Sequence, residues 1–173
     1  FLIAQNDSLV NGDFETGDCS GWEIISGEAP GFTPAQPFTF INAIATICDT
    51  SVQHTIVNGG FDAITGEPKV FPSGGAYSLM IGDGTGVGNG AARVKQNFKV
   101  DSLKNVLALN SAIVLNDPGH TPEEQPYFTV RVISQLGDTI YKNEMLVSSA
   151  SDPDFIPYSE GYYTPWITRY VSL

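Results

Sequence analysis

The sequence predicts an all-β protein, an antiparallel β-sandwich or jelly roll, on three observations. Helical periodicity is nearly absent, whereas apolar and polar residues alternate with period two along many short runs. Eighteen glycines and eleven prolines punctuate the 173 residues about as often as short strands require. About ten candidate strands lie between these breaks, a pattern that packs sheet on sheet.

The first unit is Leu9–Trp22, L-V-N-G-D-F-E-T-G-D-C-S-G-W. Asn-Gly-Asp sets a tight turn, Phe14 points inward, and Gly21-Trp22 opens a strand through Ile25. Ala29–Phe40 reads as an ordered loop, because Phe32, Phe38 and Phe40 need burial. Phe40–Ile47 and His54–Val57 are candidate strands. Asn58–Gly75 is a long connection carrying Asn-Gly-Gly, Thr-Gly-Glu-Pro and Pro-Ser-Gly-Gly turn signals. Tyr77–Ile81 alternates, with Tyr77, Leu79 and Ile81 on one face. Gly82–Gly90, G-D-G-T-G-V-G-N-G, has the glycines of a phosphate loop but not its context. That chemistry needs a helix N-terminus immediately afterwards, and Ala91–Val100 alternates as a strand.

Val106–Leu115 is almost continuously apolar and predicts a central strand buried on both faces. Phe128–Ser134 and Asp138–Val147 predict a hairpin across Gln-Leu-Gly-Asp. Ser148–Thr164 reads as a polar, aromatic loop and Trp166–Leu173 as the last strand. No repeat of fixed period and no linker divides the chain. The organisation is therefore a short N-terminal segment, 1–8, and one domain, 9–173.

Charged residues make up 16% of the chain, against a usual share of about 25%. The net charge of −11 repels nucleic acid and anionic membranes, and leaves cations, neutral glycans and basic proteins as partners. No apolar run approaches the ~20 residues that span a bilayer, so membrane insertion by a helix is not expected. Phe-Leu-Ile-Ala-Gln at the start reads either as the tail of a secretory leader or as a first strand. Cys19 and Cys48 predict a disulfide, with two buried thiols as the alternative. The bridge would close a loop of ~30 residues and contribute roughly 3–4 kcal/mol on the chain-entropy model.

Asn116–Phe128, N-D-P-G-H-T-P-E-E-Q-P-Y-F, holds three prolines, three carboxylates and one of the two histidines between β-like runs. Asp117-Pro118-Gly119 is turn chemistry, and Pro122 and Pro126 stiffen the rest of the loop. Such a loop is either a recognition or cation site, with Asp117, His120 and Glu123 as its ligands, or a stiff connection that binds nothing. Glu123 and Glu124 are adjacent and would face opposite ways in extended chain, so they make no glycosidase pair. G-x-S-x-G, H-E-x-x-H and C-x-x-C are all absent, and no catalytic activity is expected. His54 sits in an alternating run and reads as a structural histidine. Asp13 and Glu15, on the Asn-Gly-Asp turn, with Asp18 nearby, are candidate oxygen ligands for a structural calcium ion, the alternative being solvated surface carboxylates. Tyr158, Tyr162 and Tyr163, with Phe155, crowd one loop as candidate platforms for sugar rings. Trp22 and Trp166 open strands and read as core.

L-V-N-G-D-F-E-T-G…G-W with G-G-A-Y-S-L-M-I-G resembles the calcium-containing jelly-roll carbohydrate-binding modules, of the galactose-binding type. S-G-G-A-Y-S-L-M-I-G, A-I-V-L-N-D-P-G-H-T-P-E-E-Q-P-Y-F-T-V-R-V and Y-T-P-W-I-T together resemble jelly-roll surface domains of large Bacteroidetes adhesin-like proteins. Many of those are gliding-motility-associated or carry type IX secretion signals. The resemblance covers roughly residues 9–173. It implies an exported domain displayed on a cell surface, binding a surface glycan or protein receptor, or other domains of the same long chain. The alternative is a spacer, filament subunit or component of a secretion or motility assembly with no small ligand. In the carbohydrate-binding modules the glutamate of the F-E turn contributes to a structural calcium site, which carries over to Glu15. This chain departs from the pattern in showing no tryptophan platform and no closing segment after the P-W strand. The expectation is thus that a further strand, from the same or another chain, pairs beside Leu9–Phe14. Ser8, Ser102 and Thr139 each match the Asp-Ser/Thr-apolar acceptor by which Bacteroidetes O-glycosylate exported proteins.

Overall fold

The computed structural model describes residues 9–29, 40–48, 53–82, 90–100, 103, 105–117, 119–146 and 153–173. Among the described residues ten strands are all paired antiparallel, and the only helical element is a 3-10 turn at Pro122–Glu124. The all-β prediction holds. Among the described residues no helix is long and apolar enough to cross a membrane. Ser8, Ser102, most of the Gly82–Gly90 run (83–89) and most of the Ala29–Phe40 loop lie outside the described residues.

The described chain forms two compact units, one from residues up to Asn105 and one from Val106–Leu173. In the first, β1 (Glu23–Glu28) lies between β2 (Ile41–Ala45) and β5 (Gly90–Lys95). Ile24 and Ile25 follow one another and are both buried, so β1 is covered on both faces. A separate hairpin pairs β3 (His54–Val57) with β4 (Ser78–Ile81). The long connection between them folds on its own turn: Asp62 Oδ1 accepts the Ile64 and Thr65 N–H groups at 3.0 and 2.9 Å. Cys19 and Cys48 are disulfide-bonded, 29 residues apart, as the sequence predicts. β5 stops at Lys95, short of the expected Val100, opposite Glu23, where its partner β1 begins.

In the second unit, β10 (Gly161–Ser172) is the central strand, between β6 (Val106–Asn116) and β9 (Ile156–Tyr158). β7 (Tyr127–Ile133) and β8 (Thr139–Leu146) form the expected hairpin, closed by the Ser134 N–H on the Asp138 carbonyl at 2.8 Å. The core is Ile113, Leu115, Met145 and Phe155, with Phe128 and Tyr162 packed against it. Two expectations are corrected here. β6 is not buried on both faces: odd-numbered residues point inward, while Val106 and Val114 are exposed. The last strand does not begin at Trp166 but at Gly161. It runs through Pro165 at a register shift between Thr164 and Ile167, where a missing N–H is tolerated.

Candidate functional site

Two regions carry the residues singled out from the sequence. The first is the turn region Leu9–Trp22, and it is built almost wholly from side chains bonding to backbone. The Asn11 side chain bridges the segment, donating to the Asp18 carbonyl at 2.9 Å and accepting the Thr16 N–H at 3.3 Å. Asp18 Oδ1 accepts the Thr16 hydroxyl at 2.7 Å and the Ser20 N–H at 2.9 Å. The Thr16 hydroxyl and then the Ser20 contacts hold the Asp18 carboxyl below its ordinary range. Phe14 adopts φ 61°, uncommon for a bulky residue, and its ring stacks on Trp22 at 5.3 Å. The Trp22 indole N–H donates to the Asn11 carbonyl at 2.9 Å, so its ring has one orientation.

Glu15 reaches across 61 residues of sequence. Its carboxylate accepts the Ala76 N–H at 2.9 and 3.1 Å and the Tyr77 N–H at 3.1 Å. Gly75 permits the approach, since a Cβ there would overlap Glu15 Oε1. The Tyr77 ring in turn packs over Gly17. The two stretches that carry the resemblance, N-G-D-F-E and G-G-A-Y-S, are thus joined by a carboxylate clamp. Two N–H donors point at the carboxylate expected to hold calcium. Asp13 is exposed and accepts the Glu15 N–H at 3.3 Å. No group of three His, Cys, Asp or Glu side chains suited to a metal occurs among the described residues.

Leu9–Phe14, expected to offer a strand edge, is a series of bends and turns. Its backbone finds a side-chain partner instead. The Gln96 amide accepts the Val10 N–H at 2.6 Å and donates to the Val10 carbonyl at 2.8 Å, imitating one rung of a strand ladder. No sequence signal marks Gln96 for this role.

The second region is the β6–β7 loop. Asp117 Oδ1 accepts the Gly119 and His120 N–H groups at 3.2 and 2.7 Å, the Asx turn expected of Asp-Pro-Gly. Burial raises its carboxyl pKa, but the His120 N–H, the Gln125 amide, the Gly119 N–H and the His120 ring together bring it below the ordinary value. His120 Nδ1 stands 3.6 Å from Asp117 Oδ1. Glu124 is not extended: it bonds back to the Thr121 hydroxyl at 3.1 Å and closes a capping box, leaving Glu123 exposed.

The loop meets the β9–β10 turn, so the two candidate binding stretches of this unit lie together. The Tyr158 hydroxyl stands 3.3 Å from Asn116 Oδ1, and the Asp117 N–H donates to the Glu160 carbonyl. Gly161 is required at this crossing, where a Cβ would overlap the Leu115 carbonyl. The aromatics divide in a way the sequence does not show. Phe155 is buried and Tyr162 packs edge-on to it at 6.1 Å, so both serve the core. Tyr158 and Tyr163 remain half-buried, 6.4 Å apart, on the other face. Thr139 is exposed at the start of β8.

Compared with known proteins, the chain matches no family model, no curated protein and no solved structure.

Proposed function

We propose that this is a non-catalytic, exported binding module, a jelly roll that engages a surface glycan or protein receptor through loops at one end of β6 and β10. The meeting of the Asn116–Asp117 turn with Tyr158 and Glu160, beside Tyr163, supports this reading best; His120 stands on the same turn and Glu123 is exposed on the loop that follows. Ionised and hydrogen-bonding groups stand beside half-buried aromatic rings on one stiff edge, as recognition of a polar ligand requires. The disulfide fits an oxidising, extracellular setting. Adhesion at a cell surface follows from the resemblance, not from the geometry.

The test is a glycan and receptor array probed with the whole chain and with Asp117→Asn, His120→Ala and Tyr163→Ala. Selective binding that each variant weakens supports the module. Absence of any selective binding favours a spacer or assembly component, whose variants would behave alike.

A further inference from the structure

The described residues carry a groove of about 340 Å³ beside the disulfide, in the first unit. We propose that this groove receives a lysine or arginine side chain presented by a basic protein partner. Its volume is at the low end of the range of about 300–1,000 Å³ for small-molecule sites, enough for one long side chain.

The lining has the order of chemistry such a side chain needs. Ile24, Ile47 and the Cys19–Cys48 bridge form apolar walls for a methylene stem. Trp22 supplies an indole, the strongest aromatic partner for a cation. Asp18 supplies the groove's carboxylate, and no lining residue is cationic. Thr16 and Ser20 use Asp18 Oδ1, so the carboxylate stays ionised and in place. Trp22 is equally fixed, between the Phe14 ring and the Asn11 carbonyl. Little ordering remains to be done on binding, which lowers its cost.

Charge decides between a cation and a neutral ring. The chain's net −11 attracts cations to an acidic groove and repels anions. A neutral sugar would need several unoccupied hydrogen-bonding groups, yet the Ser20 hydroxyl already lies 3.4 Å from Asn11 Nδ2 and Asp18 Oδ1 accepts internal donors. A basic protein surface brings several positive charges into this field at once, whereas a free amine brings one, so the field favours the protein-borne side chain. The groove belongs to a different unit from the loop site, so the two can be tested independently.

Nuclear magnetic resonance of the oxidised full chain tests the proposal, reading the Trp22 indole N–H and the Ser20 amide. The probes are N-acetyl-lysine and N-acetyl-arginine methylamides, the norleucine and citrulline counterparts, a methyl glucoside and a short oligolysine. The expected result is saturable shifts with the cationic probes, tighter binding of oligolysine, and weakening by salt. Asp18→Asn keeps an Oδ1 acceptor for Thr16 and Ser20 and should weaken binding about tenfold. Ile47→Lys, at an exposed wall position, should fill the groove with its own ammonium and weaken binding similarly; it decides the matter if Asp18→Asn does not fold. Equal shifts from norleucine, citrulline or glucoside, no shift with any probe, or undiminished binding by the folded variants would overturn the proposal. Oligolysine binding no tighter than the single amide would overturn the protein partner.

Discussion

The two units hold their chains by different means. The second relies on length: β6 and β10 pair over most of their 11 and 12 residues and cover an apolar core. The first has strands of four to six residues, a covalent bridge, and side chains that take the place of backbone partners. Glu15 satisfies Ala76 and Tyr77, Gln96 satisfies Val10, and Asn11 and Asp18 organise the turn. Where strands are too short to propagate a ladder, individual polar side chains carry the long-range connections. Such a unit fails at single residues, whereas a ladder spreads the loss.

The contrast between the units should be sharpest at the disulfide. Replacing Cys19 and Cys48 by serine should cost about 3–4 kcal/mol, from the loop that the bridge closes. In denaturant melts monitored by site-resolved amide signals, the first unit should weaken and the second should not. Met145→Ala is the counterpart in the second unit. Met145 is 2% exposed, and its truncation should cost about 3 kcal/mol through lost burial and a cavity. Equal loss in both units from either change would show that they fold as one cooperative body.

Glu15→Ala is expected to cost about 1–2 kcal/mol, because the exposed Ala76 N–H can turn to water once its partner is lost. Calcium sharpens this prediction. If N–H donors are the clamp's partners, excess chelator leaves the melting temperature of the wild type unchanged; a fall would add a cation to the clamp.

The smallest effect is a pH dependence between pH 7.5 and 5, which His54 confers on the first unit. His54 is 0% exposed and neither ring nitrogen has a hydrogen-bond partner of good geometry. Burial lowers its pKa, and the Arg93 backbone offsets this only in part. Below about pH 6.5 the unfolded chain therefore binds a proton that the folded unit resists. Its stabilising share is full above that pH and is lost as pH falls towards the lowered folded value. Melts from pH 7.5 to 5 should show the decline, and His54→Leu should flatten it. The depressed carboxyls of Asp18, Asp117 and Glu144 act lower, their contribution disappearing as pH falls through the acid range below about 4.

Legibility in the sequence divides along the same line, between local and long-range contacts. His54–Val57 and the β7–β8 hairpin are readable because alternation and turn residues are local signals. The disulfide needs only two cysteines and a context. The burial of β6 is not readable, since an apolar run does not say which face is covered. β9 and the start of β10 hide among prolines and tyrosines, because Pro165 looks like a stop and is instead absorbed at a register shift. In the candidate sites, the Asx turn of Asp117 is local and readable. The pairing of Glu15 with Ala76, and of Gln96 with Val10, depends on contacts 61 and 86 residues apart. Phe155 and Tyr162 are indistinguishable in sequence from Tyr158 and Tyr163, since only packing separates them.

In the first unit, then, a carboxylate on the Asn-Gly-Asp turn takes the place of a strand partner for the Gly75–Tyr77 backbone. Hydrogen exchange at the Ala76 amide tests this most directly, because that N–H is exposed and outside every strand. In chelator, the wild-type amide should be protected and Glu15→Ala should return it to the rate of an open loop. Fast exchange in the wild type, or protection that appears only when calcium is added, would contradict the account.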